Sequence, residues 1–277
     1  MSNEDQRFEF GKNWLNYIHK NLTEEKVEIS RKHMLRVLGQ EDIKRMSFLD
    51  IGCGSGLHSF AAWQAGAREV YSFDYDPKSV EATRYVCGRA GNPANWAVVE
   101  QGSVLDDAYM EGLPQFDLVY SWGVLHHTGD VWHAIRNAAG RVKTGGLFYI
   151  ALYSADVQKN PTPEFWLEVK RRYVSSGWLR RRCMDAWYVW RFILNRRIRN
   201  LPVFIKRART HKQSRGMSLF TDIRDWLGGW PMEFVYDAEV VHFCEQLGFR
   251  KVKMLTGEAN TEFVFLKNPK PDLVTAH

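Results

Sequence analysis

The chain has 277 residues, a formal net charge of +6 and 45% hydrophobic residues. This length indicates one α/β core with appended segments rather than two full domains, and the composition is that of a folded protein, not of a disordered one. The most apolar run, residues 186–194, contains Arg191 and is too short to span a bilayer.

The cysteines and the first residues indicate the compartment. The four cysteines lie far apart and form no CxxC pair, so the sequence indicates neither a zinc knuckle nor a redox pair. Their low number suits a reducing compartment. The first ten residues are charged and lack the apolar core of a signal peptide. We therefore expect a cytoplasmic protein without a metal site.

Hydrophobic periodicity predicts the elements of the first half of the chain. Residues 7–45 alternate apolar and charged residues at helical spacing, which predicts two helices in an N-terminal segment, 1–45. From residue 46, strand and helix patterns alternate, which predicts a parallel sheet in a doubly wound α/β fold. The predicted strands are 46–51, 69–74, 96–101, 116–121 and 146–152. The predicted helices between them are 57–66, 77–90, 104–112 and 130–142.

The alternation is interrupted once. One helix start before the interruption is clearly marked, because Asp76 can cap a helix and Pro77 suits its first position. After residue 154 the pattern stops for about eighty residues, longer than an ordinary connection. It resumes with a helix at 237–247 and strands at 249–255 and 261–267. We assign the core to 46–154 with 236–268. The insert, 155–235, is expected to bind substrate or act as a lid.

The turn after the first strand indicates the kind of ligand. It reads DIGCGSG, residues 50–56, whereas a dinucleotide site has a glycine at the position of Leu57. The carboxylate of Asp50 would repel a pyrophosphate, but it suits the ammonium and sulfonium of S-adenosylmethionine. Asp74 ends the second strand, where an acid can accept hydrogen bonds from both ribose hydroxyls. The alternative is a plain βα turn whose glycines only permit positive φ.

Several motifs resemble a known family. LDIGCGSG, FDYDP, GSVLD and FDLVYSWGVLHHTGD resemble, in order and spacing, those of class I S-adenosylmethionine-dependent methyltransferases. The resemblance covers residues 48–151 and 237–267. It implies a Rossmann-like sheet of seven strands whose last strand is antiparallel. The segments FGKNW, IALY, RGM and DWLGGWPMEF further resemble a bacterial subgroup called ubiquinone-methylase-like.

The resemblance implies a role for each matched residue. The methionine part of the cofactor would be held by the turn after the first strand, through Asp50, Gly52, Cys53, Gly54 and Gly56. Asp74 would hold the ribose, with Tyr75 beside the adenine. Ser103 stands where many members carry an acid, so the backbone of Ser103 and Val104 would contact the adenine amine. The reactive sulfur would be lined by two residues at the end of the fourth strand, Ser121 and Trp122.

Methyl transfer to a hydroxyl or amine requires an aligned nucleophile and removal of its proton. His126 and His127 follow the fourth strand, and a neutral imidazole suits a general base. We expect His127 to be the base, because it lies closer to the loop tip at residues 128–129. The alternative is that one histidine packs and the other caps a turn. Tyr153, past the end of the fifth strand, is expected to reach the site.

Residues 222–231 mix charges, aromatic residues and glycines, which is the composition of a binding loop. Asp222 and Asp225 are alternative bases in this loop. The competing interpretation is a packed Ω-loop whose charges pair with each other. The remaining histidines, His58 among them, have no partner that the sequence reveals, so we assign them structural roles.

Basic charge is concentrated in the insert. Between Lys170 and Arg215 there are 15 Lys and Arg and one acid, Asp185, which gives a net charge of +14. Such a surface attracts phosphates, acidic sugars, nucleic acid or anionic lipids. A stripe at helical spacing predicts one helix packed on the core with a solvated basic face; it consists of Cys183, Trp187, Trp190, Leu194 and Ile198. The alternatives are a lid that binds an anionic substrate or lipid surface, and a platform for stacked nucleobases.

These patterns predict methyl transfer from S-adenosylmethionine to an oxygen of a small molecule: an acidic sugar, a lipid-linked precursor or a quinol-like ring. The acceptor is expected to be anionic, and contact with a membrane surface stays open. The runner-up is an RNA-modifying methyltransferase whose insert grips phosphates. The sequence contains no NPPY-like motif and no Pro-Cys nucleophile, so the resemblance disfavours base methylation of DNA and a cytosine-carbon mechanism. The third hypothesis, a cofactor-binding scaffold without activity, is disfavoured by the intact acid and glycine positions.

Overall fold

The computed structural model describes residues 11, 18, 22–96, 98–206 and 219–269. Within these residues the strands are β1 (Ser47–Ile51), β2 (Glu69–Asp74), β3 (Val98–Gln101), β4 (Phe116–Trp122), β5 (Val142–Tyr153), β6 (Phe249–Thr256) and β7 (Asn260–Lys267). They form one seven-stranded sheet in the order β3-β2-β1-β4-β5-β7-β6. Strands β1 to β5 are parallel, and β7 is antiparallel to both β5 and β6. The predicted sheet with an antiparallel last strand is confirmed.

Helices cover both faces of this sheet. The α-helices used below are α1 (Glu24–Leu38), α2 (Leu57–Gln64), α3 (Pro77–Arg89), α4 (Asp107–Gly112), α5 (Val131–Gly140), α6 (Pro163–Val174), α7 (Trp178–Tyr188), α8 (Leu219–Gly228) and α9 (Asp237–Gln246). In the part of the chain that the structure describes, no helix combines the length and the apolar character needed to cross a membrane.

The core consists of two layers because neighbouring strand residues point to opposite faces. Phe48 of β1 packs in the layer formed with α1, α2 and α3. Leu49, the next residue, packs in the layer formed with α4, α5 and α9. All five residues of β1 are buried, as expected for a strand covered on both faces. The doubly wound arrangement predicted from the alternating pattern is confirmed.

The helix starts follow local capping chemistry. Asp76 Oδ1 accepts the Lys78 N–H at 2.9 Å and Pro77 is the first helical residue of α3, as predicted. Helix α1 starts after Thr23 and ends before Gly39, whose φ of 68° closes the helix in the left-handed region. Of the two helices predicted in 7–45, the second is confirmed as α1. The first lies outside the described residues except at positions 11 and 18.

Two strands differ from the predicted bounds by more than one residue. Strand β5 begins at Val142 rather than at 146, because Val142 still pairs with Phe116 of β4, across a register shift between Phe116 and Leu118. Strand β3 begins at Val98 rather than at 96. Trp96 instead ends a 3₁₀ turn, where its buried indole N–H donates to Ser72 Oγ at 3.0 Å. Tertiary burial of this ring overrides its β propensity.

In the insert, α6, α7 and α8 pack around a small apolar cluster that contains Trp166, Tyr173 and Leu227. A polar network joins the three helices. Asp185 accepts the Tyr173 hydroxyl at 2.9 Å, and its other oxygen pairs with Arg182 at 2.8 Å. Arg224 of α8 lies 3.4 Å from that same oxygen. The one acid of the basic run is therefore a buried link between the helices.

The predicted stripe along residues 183–198 is wrong. Cys183, Trp190 and Ile198 are exposed, and Leu194 is buried. The cause lies in the backbone, because α7 continues as a π-helical turn over Val189–Ile193 and the helical path then ends. A wider turn shifts every later side chain around the axis, so residues spaced for one α-helix do not share a face.

Candidate functional site

A cavity of about 970 Å³ opens at the carboxyl ends of the parallel strands. One half of its wall consists of the turn after β1 and the segments that follow β2 and β3. The other half consists of the segment after β4, the end of β5, and residues of α6, α7, the π-helical turn after α7, and α8. This is the edge at which open α/β sheets bind ligands. The insert thus closes over a pocket that begins in the core.

The turn after β1 can approach a ligand closely because its glycines adopt a conformation that other residues avoid. Gly52 has a φ of +75°, and a Cβ there would lie 2.3 Å from Val124 Cγ1. The N–H groups of Gly52 and Cys53 both donate to the Phe73 carbonyl, at 2.9 and 3.0 Å. These bonds fix the turn against β2 and leave its backbone in the cavity wall.

Asp74 is the acid at the centre of this half of the cavity. Its Oδ2 accepts the Gly54 N–H at 2.9 Å, and its Oδ1 accepts the Asp76 N–H at 2.9 Å. Both bonds hold the carboxylate at the end of β2, where it lines the cavity together with Tyr75. A fixed carboxylate beside a bare glycine backbone fits the ribose and methionine parts of S-adenosylmethionine.

The residues predicted to contact the adenine also line the cavity. Ser103 Oγ accepts the Leu105 N–H at 3.2 Å, so the side chain closes its own turn. The Val104 carbonyl accepts the Asn137 side-chain amide at 2.9 Å. Because the adenine amine donates, the predicted backbone contact would need a carbonyl oxygen of this turn as its acceptor. Trp122, 40% exposed, lines the cavity at the end of β4.

Three of the predicted cofactor residues lie behind the cavity wall. Asp50 is buried and accepts the Ser59 hydroxyl at 2.5 Å. Its burial raises the pKa of this carboxyl to about 7, and the charge of Asp74 acts in the same direction. Ser121 is buried as well and donates to the Ile51 carbonyl at 3.0 Å. A Cβ on Gly56 would meet Thr83 at 3.0 Å, so this glycine serves the packing of α3.

His127 lines the cavity in a defined tautomer. Its Nδ1 lies 2.8 Å from the carbonyl oxygen of Pro231, 104 positions away in sequence. A carbonyl only accepts hydrogen bonds, so Nδ1 carries the proton and Nε2 is the acceptor nitrogen of the neutral ring. This is the tautomer in which a histidine can take a proton through Nε2.

His126 has the opposite arrangement and does not line the cavity. Its Nδ1 accepts the Tyr153 N–H at 3.4 Å, and its ring packs on the Tyr153 ring with centroids 4.3 Å apart. Its burial lowers the pKa of this ring well below the usual range, and electrostatic interaction with His127 and Lys170 acts in the same direction. His126 is thus a neutral packed residue that supports Tyr153, which lines the cavity itself.

Residues 222–231 supply a wall of the second half of the cavity. Asp222 and Asp225 both line it, as expected for a binding segment, and so do Trp226 and Trp230. Sequence reasoning did not assign the apolar side chains that complete this wall: Tyr188, Phe192, Ile193, Leu219 and Ile223. They come from α7, the π-helical turn after it, and α8.

Sequence reasoning also missed a lysine. Lys170 of α6 is 1% exposed, lines the cavity, and donates from Nζ to the Trp226 carbonyl. Burial lowers the pKa of its amine to about 7. A signal was present, because Lys170 lies between Trp166 and Tyr173 at helical spacing, on a face that is otherwise aromatic.

The structure changes the assignment of His58 and places the arginines of α7. His58 lines the cavity near the glycine turn, and its Nδ1 lies 3.0 Å from the hydroxyls of Ser30 and Tyr120. Burial lowers the pKa of His58 to about 4, so the ring is neutral. The basic cluster Arg180 to Arg182 lies outside the cavity wall. Arg181 donates to carbonyls at the end of α6, and Arg182 pairs with Asp185.

Comparison with known proteins identifies the family of the chain. A family model described as Methyltransferase domain matches residues 24–246. The ubiquinone biosynthesis O-methyltransferase of Methylobacterium sp. is 28% identical over 155 residues, 56% of this chain and 58% of that protein. The tRNA U34 carboxymethyltransferase of Idiomarina loihiensis is 27% identical over 106 residues, 38% of this chain and 32% of that protein. The chain thus spans about half the length of the first of these relatives and less of the second.

A solved structure shares the fold over nearly its whole length. The magnesium protoporphyrin IX methyltransferase of Synechocystis, with bound SAH, superimposes with a TM-score of 0.52 and 13% identity. The match covers 93% of this chain and 94% of that protein. At 13% identity, this similarity shows a shared fold alone.

Proposed function

Because the chain belongs to the methyltransferase-domain family, it is an enzyme that uses S-adenosylmethionine, and we propose that it methylates an oxygen of a small planar molecule. The observation that carries the proposal is His127, a histidine oriented by the Pro231 carbonyl in the wall of a cavity that joins the glycine turn to the insert. A base at this position would take the proton of an acceptor in the second half of the cavity while the cofactor occupies the first half.

The cofactor half has the groups that S-adenosylmethionine requires. The turn at Gly52 to Gly54 would face the methionine part, Asp74 the ribose hydroxyls, and Tyr75 the adenine. When bound, S-adenosylmethionine supplies a methyl group on a positively charged sulfur. The carboxylate of Asp74 would accept two hydrogen bonds from vicinal hydroxyls, a contact that discriminates a ribose from a deoxyribose.

In the acceptor half, His127 would hold and then move one proton. An acceptor hydroxyl would donate to Nε2, and the proton would pass to this nitrogen as the oxygen becomes methylated. The Pro231 carbonyl keeps Nδ1 protonated and stabilises the resulting imidazolium, because it accepts a stronger hydrogen bond from the charged ring. Tyr153 and Trp226, which pack edge to face with centroids 5.8 Å apart, would keep bulk water from the reacting atoms.

The shape and chemistry of the acceptor half favour a ring. Trp226, Trp230, Tyr188 and Phe192 line it, and aromatic walls select flat apolar ligands. Among the acceptors predicted from the sequence, a quinol-like ring fits these walls better than an acidic sugar does. A relative named ubiquinone biosynthesis O-methyltransferase supports the same class.

The test is a screen of cell metabolites with labelled S-adenosylmethionine. We expect label in a small aromatic product that is extracted into organic solvent, and no such product with the His127→Gln variant. The control is Arg180→Gln, an exposed residue outside the cavity wall. Label found only in macromolecules would refute the proposal.

An RNA acceptor is the second candidate. It is supported by exposed Trp178 beside exposed Arg180 on α7 and by the tRNA-modifying relative. If RNA is the acceptor, affinity for a transfer RNA should fall steeply as salt increases, because binding releases counterions. Binding that is weak at low salt, or methyl transfer that is unaffected by added RNA, would exclude this candidate.

A further inference from the structure

Lys170 is a buried cation without a matching anion. Its side chain enters the insert from α6, and its Nζ lies 4.2 Å from the centre of the Trp226 ring. An ammonium has three N–H donors. Within the described residues one acceptor is found, the Trp226 carbonyl, and no carboxylate forms an ion pair with Lys170. A buried charge is costly unless it is paired, so a lysine at this position needs a reason.

A second donor lies beside it. The indole Nε1 of Trp226 is buried and has no hydrogen-bond partner among the described residues. Buried indole N–H groups normally find an acceptor. Trp226 and Lys170 both line the acceptor half of the cavity. Within the part of the chain that the structure describes, the wall where the methyl acceptor would bind thus contains an ammonium with one of its three donors satisfied and an indole N–H without an acceptor.

We infer that Lys170 and the Trp226 indole N–H form a carboxylate-binding subsite for the acceptor. This inference rests on the proposed function and specifies its substrate class: an aromatic ring that carries a hydroxyl to be methylated and, apart from it, a carboxylate. A carboxylate has two oxygens, which match the two donors, and its charge neutralises the ammonium. The ring would pack on Trp226 while the hydroxyl faces His127.

Among the described residues, Lys170 is the one lysine or arginine that lines the cavity. Asp222 and Asp225 line the same half, but the pKa of Lys170 is shifted by desolvation alone, so neither carboxylate offsets the cost of burying its charge. The arginines of α7 lie outside the wall and cannot take this role. A purely structural role would be that Lys170 caps the carboxyl end of α8, since the Trp226 carbonyl belongs to its last turn. Ligand selectivity distinguishes the two roles, because capping does not depend on the ligand.

The experiment uses two probes of equal shape, a hydroxynaphthoate and the corresponding hydroxynaphthamide. Each is titrated by calorimetry into the protein saturated with S-adenosylhomocysteine, near pH 6, where the lysine is charged. We expect the wild-type protein to prefer the carboxylate by about tenfold or more, the scale of a charged hydrogen bond. Lys170→Met should abolish this preference and leave the affinity for the amide within about twofold.

Matched variants keep the inference falsifiable. Arg172→Met removes a cation from the exposed side of the same helix, where it pairs with Glu168 at 2.5 Å, and should leave the preference intact. Trp226→Phe keeps an aromatic ring at this position and removes the N–H, so it should reduce the preference for the carboxylate probe over the amide probe. A Lys170→Met protein that keeps the wild-type preference overturns the inference, and so does a wild-type protein that binds both probes equally or neither. Failure of S-adenosylhomocysteine to bind is a separate readout and contradicts the proposed function itself.

Discussion

Replacing Lys170 by methionine should stabilise the ligand-free protein at neutral pH. The methionine side chain has nearly the volume of the lysine stem, so it fills the same space between α6 and α8 without a charge. Replacing an uncompensated buried charge by an apolar group of similar shape is often stabilising. A stabilising mutation of a polar residue in a cavity wall is typical of a functional position.

The size of the effect follows from the pKa of this amine. Burial lowers it from 10.5 to about 7 in the folded protein. Each pKa unit corresponds to about 1.4 kcal/mol. Below pH 7, where the amine is protonated in both the folded and the unfolded protein, burial of its charge therefore lowers the unfolding free energy by up to about 5 kcal/mol. The lost hydrogen bond and cation–π contact offset about 1–3 kcal/mol of it. The expected net gain near pH 6.5 is therefore about 2–4 kcal/mol.

The sign of the pH dependence is also determined. Between pH 7 and 10.5 the unfolded chain holds the Lys170 proton and the folded protein does not. The unfolding free energy of the wild type therefore rises with pH in this window relative to the variant, by up to about 1.4 kcal/mol for each pH unit. The advantage of Lys170→Met shrinks accordingly.

Urea denaturation at a series of pH values, with the wild type, Lys170→Met and Arg172→Met, measures this difference. The cysteines and tyrosines titrate alike in the wild type and the variants, so their contribution to the unfolding free energy cancels in the difference between the curves. Arg172 is exposed, so its variant should follow the wild-type curve at every pH. Wild-type and Lys170→Met curves that run parallel from pH 6.5 to 10 would refute the reasoning, because they would show that the buried amine does not lose its proton.

The remaining predictions concern the cofactor, the base, the insert and its basic surface. Asp74→Ala should weaken S-adenosylmethionine binding by about 1.5–3 kcal/mol in calorimetry, the scale of hydrogen bonds to a charge; unchanged affinity in a folded variant would remove Asp74 from the site. His127→Gln should lower kcat about a hundredfold or more at nearly unchanged cofactor affinity, and an equal loss of cofactor binding would mean that this histidine shapes the pocket instead. Asp185→Asn should lower the unfolding free energy by about 1.5–3 kcal/mol, since it removes the charge that joins α6, α7 and α8; wild-type stability in urea would contradict this. Arg180→Glu should change the acceptor KM by less than about twofold because Arg180 does not line the cavity. A KM that rises at low salt and recovers at 1 M, where the Debye length is about 3 Å, would instead indicate a guiding basic surface.

Much of the fold could be predicted because its signals are local. Alternating strand and helix patterns, Asp76 and Pro77 at a helix start, and the glycines after β1 each act within a few residues of sequence. Gly52 can adopt its positive φ because glycine has no Cβ. The predicted stripe along residues 183–198 was wrong because this segment is not one regular helix. One π-helical turn over Val189–Ile193 changes which side chains share a face, and periodicity assumes a regular helix.

The family, the cofactor and the sheet edge that carries the candidate site could be predicted from the sequence, because they depend on short motifs at strand ends. Which residues of that edge line the cavity depends on the three-dimensional fold. His127 owes its tautomer to the carbonyl of Pro231, 104 positions away, whereas its neighbour His126 is buried behind Tyr153. Lys170 looked like one cation among fifteen, and burial beneath Trp226 makes it distinct. Burial and long-range partners set protonation, and neither is a property of local sequence.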